Sequence, residues 1–155
     1  MRRALAVAAE APAHDDVPIG AVLAREGEVI AEAANEREAR LDPTAHAELL
    51  ALRAGAAALG GWRLPGTTLY VTLEPCSMCA GAIILARVPR VVFAAADPKA
   101  GACGSVLDVL GEERLNHRPE VSSGVLADEA AELLREFFRE RRGGSAWKSA
   151  GEPAG

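Results

Sequence analysis

Residues 67–96 read TTLYVTLEPCSMCAGAIILARVPRVVFAAA. The opening TTLYVTL favours a strand, because branched side chains pack well on a pleated surface. Pro75 closes it, having no N–H to give to a ladder. CSMCAGAIILARV then forms a helix that must stop before Pro89, since the residue ahead of a proline is driven out of the helical region. RVVFAAA is a further strand. The alternation of strand and helix implies a sheet with helices laid on it.

Working toward the N-terminus, Gly60 and Gly61 stop a helix opened by Pro43 or Thr44, whose Ala45, Leu49, Leu52 and Ala56 recur at helical spacing. Before it, VPIGAVLAREGEVIAEAAN holds two alternating runs about the turn pair Glu26-Gly27, a β-hairpin. Residues 2–11 read as a short alanine-rich helix. Working toward the C-terminus, DPKAGACGS is a loop of small residues, and GEERLNHRPE an irregular connection to a strand over residues 121–125. The last helix, ADEAAELLREFFRERR, carries acids early and arginines late, which suits the helix dipole, and Gly143-Gly144 ends it. The sum is an α/β fold with a mixed five-stranded sheet covered on both faces, as one domain over residues 1–142 with a loose tail over 143–155.

Composition agrees. The 155 residues suit a single core, and with 50% hydrophobic residues but only 4% aromatics that core must be built from Ala, Val, Leu and Ile. A net charge of -5 argues against a generally basic nucleic-acid binder, so any polyanion must meet a local basic patch. Two of the three cysteines share one C-x-x-C, which is no disulfide framework and points to a reducing compartment. The N-terminal MRRALAVAA has the look of a secretory signal, but Glu10 interrupts it, and the longest later apolar run, residues 78–86, is far short of the ~20 that span a bilayer. A soluble cytoplasmic protein, with no membrane partner, is expected.

The chemistry gathers at two helix starts. Cys76 and Cys79, one turn apart, can face one ion, and the positive end of their helix favours thiolates. With His46 as a neutral third ligand, two thiolates balance a zinc dication and leave a tetrahedral corner for water, whose pKa zinc lowers toward ~7. Glu48, two residues from His46, stands near enough to move a proton without being a ligand. Alone, C-x-x-C more often marks a redox pair, a structural zinc half-site or two buried small residues than a catalytic site. H-x-E joined to P-C-x-x-C is the pattern of zinc deaminases. A redox role would leave His46 and Glu48 idle, and a closed site would need a fourth ligand from Cys103, His14 or His117. Cys103 reads instead as a small residue packed under its loop, His14 as a solvated loop residue, His117 as a brace for the connection, and Glu74 as an acceptor for nearby backbone N–H groups.

On VPIGAV, DPTAHAE, LYVTLEPCSMCAGAI, RVVFAAADPKAGACGS, LNHRPEV and GVLADEAAELLREFF, in that order, the sequence resembles the tRNA-specific adenosine deaminases of bacteria, in the cytidine deaminase-like superfamily. The resemblance implies a three-layer α/β/α sandwich, a homodimer, and hydrolysis of the wobble adenosine in a tRNA anticodon stem-loop, that of an arginine tRNA, to inosine. It implies zinc on His46, Cys76 and Cys79, with Glu48 as proton shuttle. It matches Asn35 to an asparagine that contacts the flipped nucleotide, makes Val17, Pro18 and Ile19 a wall of the base pocket, and gives the flanking nucleotides to Asp97, Lys99, Ser105, Phe137, Phe138, Arg139 and Arg142. The alanines before Asn35 and the glycines at 143–144 depart from the pattern without touching the chemistry. The rival readings are a guanine or cytosine/cytidine deaminase on the same zinc cradle, a non-catalytic zinc-stabilised RNA-binding subunit, and an interaction protein with structural zinc.

Overall fold

The fold is that of a computed structural model, which describes residues 1–143. The proposed loose tail falls almost wholly beyond them. Helix α1 (Arg2–Ala8) is followed by a 3-10 turn (Ala11–His14), the hairpin strands β1 (Gly20–Arg25) and β2 (Glu28–Ala34), and a single helical turn, α2 (Arg37–Arg40). Then come α3 (Ala47–Leu59), β3 (Thr67–Leu73), α4 (Ser77–Leu85), β4 (Arg90–Ala95), β5 (Glu120–Ser123) and α5 (Ala127–Gly143). The five strands form one sheet in the order β2-β1-β3-β4-β5. β1 is antiparallel to β2 and to β3, whereas β3, β4 and β5 run parallel, so the sheet is mixed as expected.

The hairpin turn is where the sequence puts it. Glu26 and Gly27 both take positive φ, +52° and +77°, the pair a two-residue turn of matching twist requires. One sheet face carries Ala21, Leu23, Leu69, Val71, Val91 and Phe93 against Ala51 and Leu52 of α3 and Ala80, Ile83 and Ile84 of α4. The other face packs Val7 of α1 against Ala34, and Ala130 of α5 against Ala94 and Ala95. Helices on both faces of one sheet make the three layers. α3 comes so close to β1 that a Cβ on Gly55 would lie 2.3 Å from Leu23 Cδ2, which is why a small residue stands there. Among the described residues no helix is long and apolar enough to cross a membrane.

Several boundaries differ from the sequence reading. The helix expected over residues 2–11 ends at Ala8, because Pro12 has no N–H to return to the carbonyl four residues back, and the chain continues as the tighter 3-10 turn. α2 was not foreseen. It is pinned by the buried Asp16 carboxylate, which accepts the Glu38 and Ala39 N–H groups at 2.8 and 3.1 Å. α3 begins at Ala47, not at Pro43 or Thr44, since Asp42 accepts both the N–H (2.8 Å) and the hydroxyl (2.7 Å) of Thr44 and holds residues 42–45 in a turn. β5 stops at Ser123, where Gly124 turns to φ +83°.

Candidate active site

The late start of α3 has a chemical consequence. His46 is not in its first turn but caps it, with extended backbone (φ −74°, ψ 148°), and Cys76 caps α4 the same way (φ −74°, ψ 176°). Neither side chain is spent on capping hydrogen bonds, so both are free to turn toward each other. Cys79 lies three residues into the turn and shares the face of Cys76. The two caps meet where β3 ends at Leu73, the strand-end position where open α/β sheets collect ligands.

His46 Nδ1 lies 3.6 Å from Cys76 Sγ and 3.5 Å from Cys79 Sγ. Around a tetrahedral zinc with Zn–N near 2.05 Å and Zn–S near 2.3 Å, nitrogen and sulfur ligands stand roughly 3.5 Å apart, so the donor set fits the ion. It is the one cluster of three such donors among the described residues, with all three atoms within 4.8 Å of one another. None of the possible fourth ligands joins it. Cys103 Sγ lies against the Pro75 carbonyl at 3.9 Å, His14 Nδ1 is 2.7 Å from Asp16, and His117 Nε2 is 2.7 Å from the Val88 carbonyl, the brace expected of it. His14 is therefore tied to a buried carboxylate and not simply solvated.

Protons are unequally shared inside the cluster. The Cys79 thiol, hydrogen-bonded to Cys76, pulls Cys76 down to about 3, with His46 adding to the pull. That same bond, and then burial, pushes Cys79 upward, while the Cys76 sulfur raises His46. A dication would take the place of those protons. Glu48 is buried beside them, and burial pushes its carboxyl up to about 7 against the opposing pull of its own backbone N–H and of His46. A carboxyl that can be found in either state near neutrality is suited to carry protons. Cys103 is pushed up to about 12, chiefly by burial, which makes it inert as a nucleophile.

Glu74 is the acceptor the sequence suggested. Its carboxylate takes the N–H groups of Asp97 (2.9 Å), Cys103 (3.0 Å) and Ser105 (3.0 Å), along with the Ser105 hydroxyl. Burial opposes its charge, yet these donors outweigh it and hold its pKa below the ordinary value. Gly101 completes the fit, since a Cβ there would meet the Glu74 carboxylate at 2.3 Å.

Above the cluster lies a cavity of about 230 Å³, lined by Val17, Ile19, Asn35, His46, Glu48 and Asp97 among others. Val17, Asn35 and Arg37 also line a neighbouring groove of about 670 Å³, bounded on its far side by Phe137, Phe138, Arg141 and Arg142 of α5 and by Lys99. Asn35 is 3% exposed, and its Oδ1 is the one buried side-chain oxygen or nitrogen among the described residues without a hydrogen-bond partner. Its amide reaches the Val17 carbonyl at 3.4 Å.

The structure therefore gathers most of the residues named from the sequence. Pro18 is buried and lines neither space, Ser105 gives its hydroxyl to Glu74, and Arg139 pairs with Glu132 at 3.6 Å outside the groove. Phe137 is buried and meets exposed Phe138 edge-on, centroids 5.3 Å apart. Sequence reading missed Arg37, and from the arginine run LREFFRERR, read as a source of phosphate contacts, it singled out Arg139 and Arg142 but not Arg135 and Arg141. Helical phase would have found the last two, because 134, 135, 138, 141 and 142 fall along one side of α5, whereas 139 is turned about 100° from 138.

Residues 1–142 match the family of MafB19-like deaminases. The chain is 54% identical over 142 residues to a tRNA-specific adenosine deaminase of Bacillus subtilis (strain 168), covering 92% of this chain and 88% of the relative. A solved structure from studies of A-to-I editing by tRNA:A34 deaminases at the wobble position superposes with a TM-score of 0.83 at 48% identity, over 86% of this chain and 97% of that one. A guanine deaminase from Nitrosomonas europaea superposes with a TM-score of 0.75 at 30% identity, over 89% and 82%.

Proposed function

The chain belongs to the MafB19-like deaminases and, among them, to the tRNA-specific adenosine deaminases, and we propose that it hydrolyses the wobble adenosine of a tRNA anticodon loop, that of an arginine tRNA, to inosine and ammonia. One observation carries the substrate class. A base-sized cavity over the His-Cys-Cys cluster opens into a larger groove edged with cations and an exposed phenylalanine, which a free base would leave empty and a nucleotide strand would fill.

His46, Cys76 and Cys79 would hold one zinc ion per subunit. When bound, such an ion supplies Lewis-acid activation of water at carbon 6 of adenine. Glu48, buried beside the cluster, takes a proton from the attacking water and passes it to the amino group as the C–N bond breaks. Asn35 turns its unpaired Oδ1 to a donor of the flipped nucleotide, and its place between cavity and groove suits that task. Val17 and Ile19 form one wall of the base pocket, with the buried Pro18 between them in the chain. Asp97 lines the cavity, Phe138 stacks a neighbouring base, and Lys99 and Arg142 meet phosphates. Phe137 edges the groove beneath Arg141, Ser105 acts through Glu74, and Arg139 shares Glu132 with the groove's Arg135. The assembly is a homodimer, and the tRNA substrate sets the reaction in the cytoplasm.

Incubation with an anticodon stem-loop carrying adenosine, and separately with guanine and with cytidine, tests this reading. Inosine is expected in the RNA, with the other two unchanged. Xanthine from guanine without inosine in RNA would give the chain to the guanine deaminase branch instead. A non-catalytic RNA-binding subunit would have no use for Glu48, and its buried place at the cluster speaks against that alternative.

A further inference from the structure

The groove beside the reaction cavity carries more cations than its acids can occupy. Of its five, Arg135 is tied to Glu132 at 2.9 Å and Arg141 to Asp15 at 3.2 Å. Of its three acids, Asp15 is thus engaged, and Asp16 is buried on His14 and the N–H groups of α2. Among the described residues that leaves Arg37, Lys99 and Arg142 with no ion pair, against the single carboxylate of Glu38. In a chain of net charge -5, three unpaired cations along one groove mark a local anion site.

Arg37 differs from the other two in position. It lines both the groove and the reaction cavity, two residues from Asn35, and so stands at the seam between them. Its backbone does not drift, because Asp16 holds the two following N–H groups. Arg37 is exposed and has no ion-pair partner among the described residues, so engaging a ligand would break no salt bridge there.

We infer that Arg37 is a phosphate-binding residue, gripping a phosphodiester that flanks the adenosine whose base enters the cavity. This rests on the RNA reading above and extends it. When a base leaves its stack, its phosphates stay with the strand, and a donor at the seam is placed to meet the phosphate next to the flipped unit. A guanidinium suits the task through its paired N–H groups.

The test uses the zinc-loaded protein and an anticodon stem-loop, native or with either phosphate flanking the target adenosine replaced by a neutral methylphosphonate. For Arg37→Ala on native RNA, the KM is expected to rise about tenfold while kcat stays within about twofold, the mark of lost binding common to ground and transition states. The slope of log(kcat/KM) against log salt should shrink by about 0.7, one single-strand phosphate's share. Arg37→Lys should keep that slope and recover part of the KM. On one of the two methylphosphonate substrates, Arg37→Ala should cost little further. An unchanged KM, or the same loss on all three RNAs, would overturn the inference. Failure of the unaltered protein to form inosine from native RNA would strike the functional reading itself, so the two failures are distinguishable. Arg37 is exposed, so thermal unfolding of both variants should match the parent.

Discussion

The backbone N–H of Cys103 donates to the Glu74 carboxylate at 3.0 Å, across 29 residues of chain. With Asp97 and Ser105 on the same carboxylate, the whole 97–105 loop hangs from a residue two places ahead of Cys76. The loop that roofs the cavity and the helix that offers two metal donors are thus one rigid unit.

Glu74→Gln sets a two-donor amide where four donors converge, so at least one N–H or hydroxyl loses its acceptor. The expected loss is about 2 kcal/mol. For a chain of this size that lowers Tm by roughly 4–8 °C, measured by thermal unfolding. A change of less than about 1 °C would show that the loop is held by something else.

Asn35→Leu should separate stability from function. The buried Oδ1 has no partner, and the only bond lost is a 3.4 Å one to Val17, so melting should be unchanged or slightly raised. Deamination of the stem-loop should fall by about 100-fold, because the polar contact to the nucleotide is gone. Assay and melt on one sample check both, and full activity would remove Asn35 from the site.

Arg141 joins α5 to the 15–17 loop by donating to the Asp15 carbonyl at 2.9 Å and to its carboxylate at 3.2 Å, while its guanidinium lies 4.3 Å above the Phe137 ring. The Asp15 side chain is exposed, so Arg141→Ala should cost under about 1 kcal/mol of stability. It should nevertheless raise the KM for RNA several-fold, because the groove loses a fixed wall. Steady-state kinetics of Arg141→Ala, Asp15→Ala and the pair should be non-additive.

Much of this is legible in the sequence. TTLYVTL, the Glu26-Gly27 turn and RVVFAAA became strand, turn and strand because branched residues, positive-φ positions and prolines act locally, and the sequence shows them directly. The cluster was legible because cap and third position of a helix share a face whatever the tertiary context. What could not be read depends on distant partners. α2 exists because Asp16, some twenty residues away, feeds its N–H groups. The delayed start of α3 depends on an Asp42 turn, which competed with helical propensity and won. The arginine run of α5 is legible, but not which of its members face the groove, since charge alone does not single out Arg141 over Arg139. The fold was carried by local chemistry, and the groove by contacts spanning the chain.

The central claim is that Glu48 moves protons at a metal it does not hold. It is tested most directly by measuring zinc content and inosine formation on the same preparations of the parent and Glu48→Ala. The expected result is one zinc per chain in both, with inosine from the anticodon stem-loop falling at least about a thousandfold in the variant. Parent-level inosine from Glu48→Ala, or zinc lost together with Glu48, would contradict it.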